Sequence, residues 1–294
     1  MKEAIKVGFC VAYDWYLLEH ALPLIYNAAD MICLSLDKDR ISWSGHPYAF
    51  DTAAFQQLVA RLDPDKKIRV IEEDYHLPDL TPMQNEVRQR NRIAQHFGPG
   101  GWFVQLDCDE YFLDFDGFVA YLRSLTSRRT KRANVACAWI ILYKQTPEGF
   151  LYVDPVDKTK TEFMQIATRE PGYEYGRRNG NFNIITNFAI LHQSWARSRE
   201  EIRDKIYNWG HSTDFDKEKY FAAWEGFDAT NFATAKDVHP LQSGLWPRLN
   251  FVKGKTIADL LKNFPTHTMP AYSTVDLFFR NSRLFSKLRS LLKK

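Results

Sequence analysis

Gly101-Trp102-Phe103-Val104-Gln105-Leu106-Asp107-Cys108-Asp109-Glu110-Tyr111-Phe112 is the stretch on which the fold turns. Trp102 to Leu106 reads as a buried strand, and it runs straight into three acids, Asp107, Asp109 and Glu110. Carboxylates crowded beside an apolar run repel one another and are costly to desolvate, so a cation belongs among them. Side chains alternate along a strand, so Asp107 and Asp109 project to one side. Such a pair can grip a hard divalent cation, Mg²⁺ or Mn²⁺, and that ion can bridge the phosphate oxygens of a substrate.

Upstream of this stretch, strand and helix signals alternate. Ile5 to Ala12 is apolar, and Tyr13-Asp14 opens a helical pattern through Ile25 with Asp14 as candidate cap. Met31 to Leu36 is a second strand ending in Asp37. Asp51 caps a helix that stops at Pro64, Ile68 to Ile71 is a third strand, and Met83 to Phe97 is a charged helix. The order β-α-β-α-β-α-β predicts an α/β fold with a mostly parallel central sheet and helices on its faces. Ligands bind such sheets beyond the carboxyl ends of the strands, where Tyr13-Asp14, Asp37 and Asp107-Asp109 all fall.

Beyond Phe112 the pattern predicts a helix over Phe118 to Leu125 and a strand over Ala133 to Tyr143. An irregular stretch rich in Tyr, Arg, Asn and Gly occupies residues 150 to 190, and Phe188 to His192 reads as the last strand. Ser198 and Glu201 form a capping box for a helix over Ser194 to Trp209, and Lys217 to Trp224 is helical too. From Thr274, Leu277, Phe278, Leu284, Phe285, Leu288, Leu291 and Leu292 mark one face of a C-terminal helical segment whose other positions are basic. That pattern suits peripheral contact with an anionic membrane surface.

The 294 residues are 45% hydrophobic and 26% charged, ordinary for a globular chain with a sizeable core. A net charge of +3 with no recognition module argues against a nucleic-acid reader. Cys10, Cys33, Cys108 and Cys137 lack C-x-x-C spacing and read as buried thiols of a reducing compartment, not as disulfides or zinc ligands. No signal peptide or membrane span is evident, so the expected location is cytoplasmic, with association at the inner face of the membrane.

Over residues 5 to 115 the pattern resembles nucleotide-sugar-dependent glycosyltransferases of the GT-A fold, family 2 in particular. Val11-Ala12-Tyr13-Asp14 stands where that family has Pro-x-Tyr-Asn-Glu, with Ala12 in place of Pro and Asp14 in place of Asn. Leu36-Asp37 matches the aspartate near the nucleotide base, Arg90-Asn91 the Arg-Asn pair, and Asp107-Cys108-Asp109 the Asp-x-Asp metal signature. The resemblance implies a Rossmann-like GT-A domain over 1–250, with a nucleotide-sugar half (1–115) and an acceptor half (116–250), and then a helical tail (251–294).

It implies a metal-dependent transfer of a sugar from a nucleotide diphosphate sugar, a UDP-sugar by family frequency. The acceptor would be a glycan or lipid-linked molecule of bacterial cell-surface polysaccharide synthesis, and inversion is favoured. The donor would meet Ala12, Tyr13, Asp14, Asp37, Arg90, Asn91 and Asp107, with Arg90 on a phosphate or paired to Asp107. The metal would sit on Asp107 and Asp109, with His192 or His211 as third ligand. Asp109 is the direct ligand of choice and serves catalysis through the ion. The family's Glu-Asp pair has no clean counterpart between 190 and 230, which leaves Asp214 and Asp216 as candidate bases.

Two other classes use similar residues: a metal-dependent nucleotidyltransferase or phosphohydrolase, and a non-catalytic sugar-nucleotide or glycan-binding module. The first is disfavoured by Ala12-Tyr13-Asp14-Trp15, which has neither glycine nor lysine for a phosphate loop. The second has no use for Asp107, Asp109 and Arg90 together.

Overall fold

The computed structural model describes residues 3–126, 130–208 and 215–286. The chain divides into two compact units. The first comprises residues up to 137, then 163–188 and the segment from 273. The second comprises 138–162 and 189–272.

In the first unit, β1 (Ile5–Val11), β2 (Met31–Asp37), β3 (Ile68–Glu73) and β4 (Trp102–Asp107) pair in the spatial order β4-β1-β2-β3. All three pairings are parallel, and β8 (Phe163–Thr168) lies antiparallel on the far edge of β4. The fold is α/β with a mostly parallel sheet, as the strand-helix alternation predicts. Every residue of β1 is buried, and so is β2 after Met31, which requires cover on both faces of the sheet.

The connecting helices are α1 (Leu18–Ile25), α2 (Thr52–Leu62) and α3 (Pro82–Phe97), with α4 (Phe115–Ser124) after the acidic stretch. Between β4 and α4, Glu110–Phe112 form the short strand β5. Asp51 caps α2 by accepting from Ala54 N. Asp14, in contrast, makes no capping bond and precedes a 3-10 turn, Trp15–Leu17, that leads into α1.

Helix α3 places the arginine that meets the acidic stretch. It opens with a capping box between Thr81 and Gln84, carries Pro82 in its first turn, and stops at Gly98, whose φ is positive. Its apolar stripe, Ile93, Ala94 and Phe97, packs with Cys10, Cys33, Ile71 and Phe103. Gly8 permits this approach, since a β-carbon there would stand 2.5 Å from Ile93 Cγ2. Gly101 has φ +79°, and a β-carbon there would stand 2.5 Å from the Ala4 carbonyl, which accepts from Trp102 N to start the β1–β4 register.

The second unit is antiparallel. Strand β6 (Ala133–Gln145) begins in the first unit and ends in the second, where it pairs with β7 (Gly149–Asp154), and β7 pairs with β10 (Arg248–Lys253). A turn at Thr146 to Gly149 joins β6 to β7. Strand β9 (Phe182–His192) begins six residues earlier than expected and precedes β10, so it is not the last strand.

Helix α5 (Arg199–Asn208) carries the predicted Ser198–Glu201 box. Helices α6 (Lys217–Gly226) and α7 (Ile257–Asn263) complete the unit. Its core gathers Ile141, Tyr143, Leu151, Trp195, Ile202, Phe221, Trp224 and Trp246. Lys144 reaches the carbonyls of Trp224, Glu225 and Phe227 at the carboxyl end of α6, where a helix favours a cation.

The segment from 273 returns to the first unit. Helix α8 (Thr274–Arg280) is capped by Ser273, ends at Asn281, and buries none of its residues. The expected continuous stripe is therefore interrupted, and Leu288, Leu291 and Leu292 lie outside the described residues. Asn281 fastens the segment by donating to Ile185 O and accepting from Ile185 N, both at 2.8 Å. Among the described residues no helix is long and apolar enough to cross a membrane.

Candidate functional site

Parallel register brings the sequence-predicted residues of the first unit to one edge. Cys10 lies opposite Asp107, Val11 opposite Leu36, and Asp37 opposite Glu73. The loops holding Ala12-Tyr13-Asp14, Asp37, Tyr75 and Cys108-Asp109 therefore leave the sheet side by side at its carboxyl end.

Among the described residues, two arginines supply positive charge to the acidic stretch. Arg90 on α3 donates from Nη2 to Asp107 Oδ1 at 2.8 Å and from Nε to Glu86 Oε1 at 2.9 Å. Arg177 donates from Nη2 to Asp107 Oδ2 at 2.7 Å and to Glu110 Oε2 at 2.8 Å. Glu110 Oε2 also accepts from the Asp107 amide at 3.1 Å. Burial pushes the Asp107 carboxyl up, but the two guanidinium groups outweigh it and hold it below the ordinary carboxylate value. Burial alone would lower Arg177, yet Glu110 and Asp107 raise it above the usual arginine value. Among the described residues Asp107, Glu110 and Glu86 thus share two guanidinium groups, and Asp109 beside them is buried too.

Arg177 reaches the cluster because a neighbour of Arg90 anchors its loop. Asn91 donates to Tyr173 O and accepts from Tyr173 N, both at 2.9 Å, as a strand partner would. Tyr175 to Arg178 then closes a tight turn, with Arg178 N donating to Tyr175 O and Gly176 at φ +54°. A glycine with positive φ in the first central position is the type II′ arrangement, and Arg177 comes directly after it. Arg90 makes the pairing with Asp107 that the sequence allowed beside a phosphate contact, and Asn91, expected as a ligand contact, ties the loop. The run Tyr173 to Asn179 signals a loop of unusual polarity, but nothing in it says that Arg177 returns to Asp107.

Asp37 is fully engaged by the backbone. Oδ1 accepts from Asp39 N and Ile41 N, and Oδ2 from Tyr75 N and His76 N, between 2.9 and 3.3 Å. One buried carboxylate thus ties the loop after β2 to the loop after β3. Beside it stands an aromatic shelf. Tyr13 is 56% exposed with its ring edge-on to Tyr48, centroids 6.2 Å apart, and Tyr48, Phe50, Trp15 and Phe55 continue the contact. The Arg40 guanidinium lies 4.5 Å over Phe50. Cys10 and Cys108 are inert here, since burial pushes the Cys10 thiol up to about 12 and Cys108 well above its ordinary value.

Both oxygens of Asp107 hold guanidinium nitrogens, and Asp109, the other carboxylate of the Asp-x-Asp pair, is buried at the same edge. Mg²⁺ and Mn²⁺ accept one or two carboxylates when substrate phosphates and water complete the shell. Among the described residues no three His, Cys, Asp or Glu side chains are grouped to hold a metal by themselves.

Of the remaining candidates, His192 ends β9 in the second unit, stacked on Trp139 with centroids 4.2 Å apart. Asp216 caps α6 by accepting from Lys219 N at 3.1 Å. Asp214 and His211 lie outside the described residues. Trp224 and Trp246 are buried, their indole N–H groups donating to Tyr143 O and Glu162 Oε2.

No family model matches the chain, and no curated protein does. Among solved structures it is similar to mannose-1-phosphate geranyltransferase from Thermus thermophilus. That match has 12% identity over 78% of this chain and 66% of that one, with a TM-score of 0.28. A likeness of that size carries no argument about function.

Proposed function

We propose that the first unit binds a nucleotide diphosphate sugar, a UDP-sugar by resemblance, and that the chain transfers the sugar to a glycan or lipid-linked acceptor. What carries the reading is a stackable ring, Tyr13, and a clamped acidic cluster, Asp107 to Glu110, on the same carboxyl edge of a parallel sheet. Tyr13 stacks on the base. Asp37 acts by fixing the two loops that wall the nucleotide, since its oxygens are already taken. Arg90 and Arg177 keep Asp107 ionised and oriented, and Asp109 holds Mn²⁺ or Mg²⁺ together with the donor phosphates. Such an ion neutralises charge growing on the departing diphosphate.

The segment carrying α8 supports an acceptor at an anionic membrane surface. Val275, Phe278 and Leu284 are each more than 60% exposed, beside Arg280 and Arg283.

The test is calorimetric titration of UDP and GDP, with Mn²⁺ and with chelator, into the wild type and Asp109→Ala. Metal-dependent binding of one nucleotide that the variant loses is expected. Absence of binding by either nucleotide under all conditions overturns the donor-site reading.

A further inference from the structure

The basic run Arg128-Arg129-Thr130-Lys131-Arg132 has no part in the donor site, and its end lies against the segment that carries α8. Arg283 donates from Nη2 to the carbonyls of Lys131 and Arg132 at 2.7 and 3.0 Å, with its guanidinium 5.5 Å from the centre of the Phe182 ring. The Arg132 carbonyl also accepts from Phe182 N, so the segment, the basic run and the start of β9 are tied together within the first unit. Lys131 and Arg132 are exposed. Beside this knot the segment leaves its apolar side chains in solvent. Phe278, Leu284 and Val275, at 68%, 66% and 63%, are the three most exposed large apolar side chains among the described residues, and Phe279 is exposed too. Val275, Phe278 and Phe279 stand at i, i+3 and i+4 and share one side of α8. Ring contacts join Phe278 to Phe279 and Phe279 to Phe285, centroids 5.6 and 4.9 Å apart, which carries the apolar surface past Asn281 to the neighbour of Leu284.

An exposed apolar patch marks a contact surface, and the charges around it say with what. From Ser273 to Lys294 the sequence holds six basic residues and one acid, Asp276, which closes the capping box with Ser273. Lys131 and Arg132 add to that positive charge. A second copy of the same patch would set like charges face to face. An anionic bilayer meets both needs, with phosphates for the cations and hydrocarbon beneath them for the rings. We propose that residues 130–132 and the segment from 273 form one docking surface for an anionic phospholipid bilayer. Val275, Phe278, Phe279 and Leu284 enter the boundary between headgroups and acyl chains, and Lys131 and Arg132 lie against lipid phosphates. The bonds of Asn281 to Ile185 and of Arg283 to the basic run hold this surface as a fixed face of the first unit. The docking rests on the transferase reading only in making the bilayer the place where a lipid-linked acceptor is met.

Cosedimentation of the full chain with vesicles of equal parts phosphatidylglycerol and phosphatidylcholine, and with vesicles of phosphatidylcholine alone, tests the surface, with UDP titration run in parallel. Binding to the anionic vesicles that falls with added salt, and is about tenfold or more weaker on the neutral ones, is expected. Phe278→Ser/Leu284→Ser should lose about tenfold or more in vesicle affinity, since two apolar side chains no longer enter the acyl boundary. Lys131→Gln/Arg132→Gln should lose about twentyfold, at roughly fivefold for each cation near an anionic surface. All four positions are exposed, so the melting temperature and UDP affinity of both variants should stay unchanged. No sedimentation with anionic vesicles, equal binding to the two kinds of vesicle, or full affinity in either double variant overturns the docking surface and leaves the donor site standing. A lipid-free dimer that Phe278→Ser/Leu284→Ser abolishes also overturns it, in favour of a second copy. Vesicle binding without UDP binding overturns the donor site and leaves the docking surface.

Discussion

Replacing Arg177 by Met tests the clamped acidic cluster most directly. The guanidinium has only 4% of its side chain exposed and lies between Asp107 and Glu110, whose side chain is fully buried. Asp107 keeps Arg90 after the substitution, and Glu110 loses the bond from Arg177 Nη2. Removing one partner of a buried pair costs about 3–5 kcal/mol, because an uncompensated charge remains. That is a large part of the ~5–15 kcal/mol by which a domain is stable. The assay is urea unfolding monitored by tryptophan fluorescence, with Arg177→Met compared with Arg177→Met/Glu110→Gln. Neutralising the stranded acid should restore roughly half of the loss, about 2 kcal/mol.

The pH dependence carries a sign. The folded carboxyl of Asp107 lies below its unfolded value, so it contributes stability above the ordinary carboxylate range and loses it as pH falls through the folded value. Without Arg177 the Asp107 carboxyl loses one of the two guanidinium groups that offset its burial, and it rises. The gap between wild type and variant should be widest near neutral pH and close in acid. A loss below about 1 kcal/mol, or a gap that widens in acid, refutes the clamp.

Three further substitutions test the neighbouring parts. Asn91→Ala removes both bonds to the Tyr173 backbone, so a loss of about 1–3 kcal/mol is expected together with faster tryptic cleavage at Arg177 and Arg178; unchanged cleavage refutes the anchoring role. Asp37→Asn turns a donor toward two of the four amides its carboxylate serves and should lower stability by about 2–4 kcal/mol in urea. Tyr13→Ala, at an exposed position, should leave stability within about 0.5 kcal/mol. It should weaken UDP about tenfold in titration, since stacking of a base on an aromatic ring is worth roughly 1–3 kcal/mol. Unaltered UDP affinity removes Tyr13 from the base.

What the sequence made legible was local. Alternation of apolar runs with capped helical stripes specified β1 to β4 and α2 and α3, because each signal lies within one element. Crowded acids at the end of β4 demanded a cation, and the demand was sound. Arg90 was legible as a partner of Asp107, but Arg177 was not, since it is separated from Asp107 by the whole of β5 to β8 and by a turn whose geometry depends on Gly176. Asp37 shows a different failure. An aspartate at a strand end reads as a ligand contact, but four backbone amides already fill it, and only the path of two loops reveals that.

The interleaving of the two units bears on how the chain can be made. During synthesis the second unit is complete once residue 272 has emerged, whereas the first still awaits the segment in which Asn281 fastens to Ile185. The first unit, though begun first, receives its last segment only after the second has been fully translated. A ribosome stalled between residues 189 and 272 therefore displays β1 to β4 without that last strap, and pulse proteolysis of such stalled chains would show the order in which the two units become protected.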